Sequence, residues 1–194
     1  MKALAKFLGT VAVASIALTG CGGDDGNGGE GGNGGGGNGM DMSKVTATGL
    51  LATANEKVKE KGEASLSRIN MMGVKEDGSI DLNSGMPTSG IQFIFKVGDK
   101  YWQVQWMGNP VNKDEPMYSL MEATVGGDPA FPADAVGKFK DSTDLAAKAK
   151  TGGLDFSQGA MCSYYTLKEK PAAVWSDMAG KSVMLDAQTG DEIK

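Results

Sequence analysis

Between Val45 and Glu60 the apolar residues Ala47, Leu50, Leu51, Ala54 and Val58 recur at i, i+3, i+4, i+7 and i+11. That spacing keeps them on one face of a helix, and it predicts one amphipathic helix over this stretch. Ser43 is the expected N-cap and Gly62 the stop. Ala64 to Met72 is short and mixed in pattern, and Glu76-Asp77-Gly78 reads as a turn. Period two then takes over. Ile91 to Phe95 is a strand with Ile91, Phe93 and Phe95 on its core face. Tyr101 to Trp106 is another, with Trp102, Val104 and Trp106 on one side and Tyr101, Gln103 and Gln105 on the other. Val97-Gly98-Asp99-Lys100 joins the two at hairpin length.

Asn109 to Pro116, with two prolines, is a loop before a further strand over Tyr118 to Val125, and the Gly- and Pro-rich Gly126 to Lys140 is a connector. A second helix follows, capped by Asp141 or Ser142, carrying Leu145, Ala146 and Ala149, and ending at Gly152-Gly153. Met161 to Leu167, Ala172 to Trp175 and Ser182 to Asp186 are strands, the last leading through a turn into a short terminal strand. The order is helix, strands, helix, strands. It predicts an α+β fold, a helix packed on an antiparallel sheet, laid out as two tandem helix-plus-meander units over residues 43–126 and 127–194.

The first 42 residues read as targeting and tether. Lys2 and Lys6 form a positive start, and Phe7 to Leu18 is an apolar stretch too short to span a bilayer comfortably. Leu18-Thr19-Gly20-Cys21 then matches a lipobox: small residues give a peptidase access to the Gly20–Cys21 bond, and the thiol accepts a diacylglycerol. Residues 1–20 are thus an expected signal peptide with Cys21 as the lipidation site. Two or three acyl chains, at about 0.8 kcal/mol per buried CH₂, hold a protein stably at a membrane. In lipoproteins of enteric Gram-negative bacteria an aspartate after the cysteine favours inner-membrane retention, so by that resemblance Gly22 implies the outer membrane. Gly22 to Gly39 is nearly pure glycine and buries too little apolar area to offset backbone entropy. It reads as a leash with an r.m.s. span of roughly 24 Å.

Charge and cysteine content narrow the function. The net charge is −5, and loss of Lys2 and Lys6 with the leader gives −5 − 2 = −7, so phosphate backbones repel the chain and nucleic acid is not an expected partner. The sequence has no histidine, which excludes Ser-His-Asp and Cys-His catalysis and imidazole-based zinc sites. With Cys21 acylated, Cys162 has no intramolecular partner and reads as a small core residue.

The C-terminal run Val183-Met184-Leu185-Asp186-Ala187-Gln188-Thr189-Gly190-Asp191-Glu192-Ile193 resembles the closing motif of PepSY-type domains. The helix before it and Pro171-Ala172-Ala173-Val174-Trp175 are similar to that family too, over roughly Asp141 to Lys194. The resemblance implies a cystatin-like α+β fold in secreted or membrane-attached proteins that restrain peptidases or bind proteins. It brings no catalytic residues.

Other chemistry is thin. Asp77-Gly78-Ser79-Ile80-Asp81 lacks the glutamate of a calcium loop and reads as a turn. Asp186 and Asp191-Glu192 read as turn acids rather than an acid/base pair. The 12 methionines invite a copper reading, but Met71-Met72 is the only adjacent pair, no M-x-x-M run occurs and no histidine assists, so soft core filling is the expectation. The expectation is a non-enzymatic, cofactor-free, protein-binding or regulatory module of the cell envelope, with the membrane and an envelope protein as partners and Tyr101, Gln103 and Gln105 as its binding face. The rival is a carboxylate-dependent envelope hydrolase.

Overall fold

Alternating apolar and polar residues give each strand two unlike sides, and pairing adds these sides into two unlike sheet faces. The computed structural model describes residues 41–86, 88–123 and 128–193. The lipobox, Cys21 and the glycine-rich segment lie outside them. The strands are β1 (Ser65–Val74), β2 (Gly90–Val97), β3 (Lys100–Met107), β4 (Met117–Glu122), β5 (Ala160–Leu167), β6 (Lys170–Ser176) and β7 (Ser182–Asp186). The helices are α1 (Leu51–Val58), α2 (Ala133–Val136) and α3 (Ser142–Thr151). All seven strands join one antiparallel sheet in the order β4-β3-β2-β1-β5-β6-β7. The architecture is α+β, dominated by strand.

Register carries the core across the sheet. Leu120, Val104, Phe93, Ile69, Tyr164, Ala173 and Leu185 form one lane, each opposite the next. Tyr118, Trp106, Ile91, Met71, Cys162, Trp175 and Val183 form another on the same face. Ala54 and Val58 of α1 and Leu145, Ala146 and Ala149 of α3 join these residues in one hydrophobic cluster. Each fully buried side chain of the Leu or Phe class contributes about 1.5–3 kcal/mol. Phe93 and Phe95 lie there as expected, and Trp175 and Tyr164 are the largest members.

The first helix starts six residues later than the periodicity predicts, and Ser43 does not cap it. Val45 is drawn into a two-way backbone bridge with Ile80, at 3.0 and 2.8 Å, so the chain enters α1 through a turn and Leu50 takes the N-cap position. The segment read as short and mixed is β1, ten residues long and central to the sheet. Register shifts between Leu66 and Arg68 and between Met72 and Val74 break its alternation. The connector contains the one-turn α2. The expected terminal strand is a single bridge, Leu185 to Glu192.

β1 and β5 are the first strands after α1 and α3, and they pair with each other at the middle of the sheet. The two meanders therefore continue one into the other and share a core. Their pairing ends at Ile69 and Tyr164; beyond it the Leu66 carbonyl accepts from the Phe131 N–H at 2.8 Å, so the connector occupies the gap.

Candidate functional site

The two longer helices, α1 and α3, pack on the same side of the sheet. α3 reaches Val183, and Lys57 and Lys61, one on α1 and one just after it, lie over the Tyr118 and Trp102 rings at 5.7 and 4.8 Å. The opposite face is left open among the described residues. Its central lane runs Ser119, Gln105, Gln92, Asn70, Ser163. The Ser163 hydroxyl donates to Asn70 Oδ1 at 2.9 Å, and Asn70 Nδ2 donates to Gln92 Oε1 at 2.5 Å. Gln103 Nε2 donates to Gln105 Oε1 at 2.6 Å along β3. Neutral amides held by one another, half-buried, present a fixed polar strip without charge.

A lane of thioethers flanks this strip: Met117, Met107, Gly90, Met72, Met161. Met117, Met121, Met161 and Met184 are exposed on this face, so the expected core filling holds for Met71 and not for them, because their strand positions point away from the helices. Burying such side chains against a partner is favourable, and methionine adapts to surfaces of varied shape.

Of the three residues expected to form a binding face, Gln103 and Gln105 lie in the open strip. Tyr101 shares their side of β3 but is committed elsewhere: its hydroxyl donates to the Asp128 carbonyl at 3.2 Å, as does the Ser67 hydroxyl at 2.8 Å. Arg68 pairs with the Asp128 carboxylate and lies over the Tyr165 ring at 5.4 Å. Together these contacts fasten the connector to one margin of the open face. Asn70, Gln92, Ser163 and the methionine lane come together only through strand register, which the pattern of any single strand does not show.

A groove of about 610 Å³ opens on the helix side, lined by Leu51, Leu66, Phe95, Phe131, Val136 and Phe139, with Thr48, Asn55 and Ser65 at its rim. Its lining belongs to the core cluster and carries no ionisable side chain.

The acids serve turns. Asp77 accepts from the Ser79 hydroxyl and N–H at 2.6 and 3.0 Å, which hold its carboxyl below the usual range. Asp155 does the same for Ser157, with the same effect. Asp186 accepts from the Gln188 and Thr189 N–H groups, and Asp81 accepts from the Asn83 N–H and pairs with Lys75 at 3.1 Å. The buried Asp177 accepts from the Lys181 N–H at 2.9 Å and the Asp155 N–H at 3.3 Å. Each of these carboxylates accepts from backbone N–H groups, and Asp155 and Asp177 together line a small pocket of about 190 Å³. Cys162 lies fully buried on the core face, where burial first and Asp141 second push its thiol well up.

Among the described residues no three His, Cys, Asp or Glu side chains gather to hold a metal ion, and no helix is long and apolar enough to cross a membrane. No protein-family model matches the chain, and no curated protein or solved structure resembles it at a significant level.

Proposed function

We propose that this is a lipid-anchored protein of the cell envelope, fixed through Cys21 and favouring the outer membrane, that binds an envelope protein through the open face of its sheet. The observation that carries this reading is the contrast between the two faces. One is covered by α1 and α3 except at the groove beside α2, while the other offers a hydrogen-bonded amide strip flanked by exposed methionines. The glycine-rich composition of residues 22–39 supports it, because a segment of that kind between an anchor and a domain holds the domain near membrane partners at raised effective concentration. Asp77 and Asp186 serve as turn caps, and Asp155 and Asp177, which share a small pocket, are both engaged by backbone N–H groups, which favours binding over the carboxylate-hydrolase alternative.

The finer reading is of two PepSY-like units, each a helix followed by a meander, joined through their first strands. The antiparallel pairing of β1 with β5 supports that layout. It carries the expectation that the partner is a peptidase held in check or another envelope protein.

Two measurements test the proposal. Metabolic labelling with palmitate should mark the native chain and not Cys21→Ala. A photo-crosslinker at Gln105 or Ser163 should give one defined adduct in whole cells, absent when the same group replaces Lys150 on α3. Adducts that are equal from both faces, or lacking from the open one, overturn the binding surface; an unlabelled Cys21 overturns the anchor.

A further inference from the structure

Scattered in sequence, Met72, Met107, Met117 and Met161 are collected by register into one lane of the open face. Met117 stands opposite Met107 and Met161 opposite Met72, and side chains so placed have Cβ atoms about 4.5–5.5 Å apart. Between the two pairs the lane position is Gly90, which has no side chain. A Cβ there would lie 3.3 Å from Met107 Cγ and 3.6 Å from Met72 Cε. Met72 thus carries its methyl, and Met107 its Cγ, to the space beside the glycine from the strands on either side. Those strands are two sheet spacings apart, about 9.6 Å. A side chain reaching in from each side covers that distance, so the two sulfurs can share a ligand above Gly90.

We propose that this lane binds a soft monovalent cation, Cu(I) or Ag(I), between the Met72 and Met107 sulfurs, with a flanking thioether from Met117 or Met161 completing the coordination. The chemistry of the donors fixes the class of ion. A thioether is neutral and soft, has no proton to lose, and prefers Cu(I) over harder divalent ions. The neighbouring lane of Ser119, Gln105, Gln92, Asn70 and Ser163 adds no charge that would draw Mg²⁺ or Ca²⁺. Met117 and Met161 are 43% and 40% exposed, which leaves the lane open to an arriving ion. No electron transfer is involved. This site shares Met117 and Met161 with the proposed protein-binding face, but the titration reads the ion and the crosslink reads the protein, so either can fail alone.

The test is a titration of the full acylated chain in detergent micelles with Ag(I), following the methionine methyl resonances, alongside anaerobic competition for Cu(I) with a chromogenic chelator. The Met72 and Met107 methyls should shift and saturate at about one equivalent, with Met121 and Met184 unmoved. The Met72→Leu/Met107→Leu double variant, which conserves volume, should bind at least about 10-fold more weakly, a difference of roughly 1.4 kcal/mol. Gly90→Ala keeps every sulfur but fills the gap, and it should also weaken binding; Cys162→Ala should not. Absent shifts, undiminished affinity in the double variant, or loss of binding in Cys162→Ala would each overturn the site.

Discussion

Ala47 and Ser142, both fully buried, are joined by a hydrogen bond in which the Ala47 N–H donates to the Ser142 hydroxyl at 3.0 Å. Beside it, Asp141 Oδ1 caps α3 by accepting from the Ser142 N–H at 2.7 Å and also accepts from the Thr48 N–H at 3.2 Å. The start of α3 thus satisfies the backbone of the segment leading into α1. Ser142→Ala leaves the Ala47 N–H buried without a partner. The expected cost is about 1–3 kcal/mol, read as a lower urea midpoint with the whole domain melting in one transition. Separate transitions for the two halves would show that this contact does not couple them.

Gly78 sits against the same helix start. Its φ is +82°, and a Cβ there would lie 2.4 Å from the Ser142 carbonyl oxygen. Left-handed strain of about 1–2 kcal/mol adds to the displacement of backbone, so Gly78→Ala should cost about 3 kcal/mol or more. Thermal melting of the two chains side by side measures it.

The β5–β6 hairpin carries the opposite opportunity. Lys168 and Glu169 both hold positive φ, 47° and 67°, in a two-residue turn that favours Asn-Gly. Glu169→Gly removes left-handed strain and should raise stability by about 1 kcal/mol. A melting temperature unchanged or lower in the variant would count against strain at this turn.

Tyr164 and Cys162 give the domain an alkaline limit. Burial, then the charges of Cys162, Asp141 and Asp144, raise the Tyr164 phenol far above its ordinary value near 10, and its hydroxyl donates to the Lys140 carbonyl at 3.1 Å. A raised folded pKa means the neutral form is favoured in the native state. The associated stability is complete below the ordinary tyrosine value and is lost as pH rises beyond it. In a spectrophotometric titration the last tyrosine should ionise together with unfolding, and Cys162 should react with a thiol reagent only then. Early reaction of Cys162 at neutral pH would contradict a closed core.

Strands with intact alternation were legible in the sequence: β2, β3 and β7 fall where period two places them. β1 was not, because its two register shifts reset the phase between Leu66 and Arg68 and again after Met72. α1 was overextended since periodicity carries no information about Ile80, which takes Val45 into a bridge. The open face was half legible. Gln103 and Gln105 show in the alternation of one strand, whereas Asn70, Gln92 and the methionine lane exist only through pairing between strands distant in sequence.

Met71 and Met72 condense the division of the sheet into one peptide bond. Met71 is fully buried between Ile91 and Cys162, and Met72 faces outward between Gly90 and Met161. Met71→Ala should cost about 2–5 kcal/mol through the cavity it leaves. Met161→Lys, on the outer lane, should stay within about 0.5 kcal/mol of the native stability, because a surface side chain gives up little packing. The same lysine brings a charge onto the face proposed to meet a partner, where desolvating it opposes binding. Its crosslinked adduct from Gln105 should fall several-fold while the urea midpoint holds, and Met71→Ala should lower the midpoint while the remaining folded protein still crosslinks. If Met161→Lys lost stability as Met71→Ala does, the outer lane would be structural packing, and the distinction between a sealed and a receptive face would not hold.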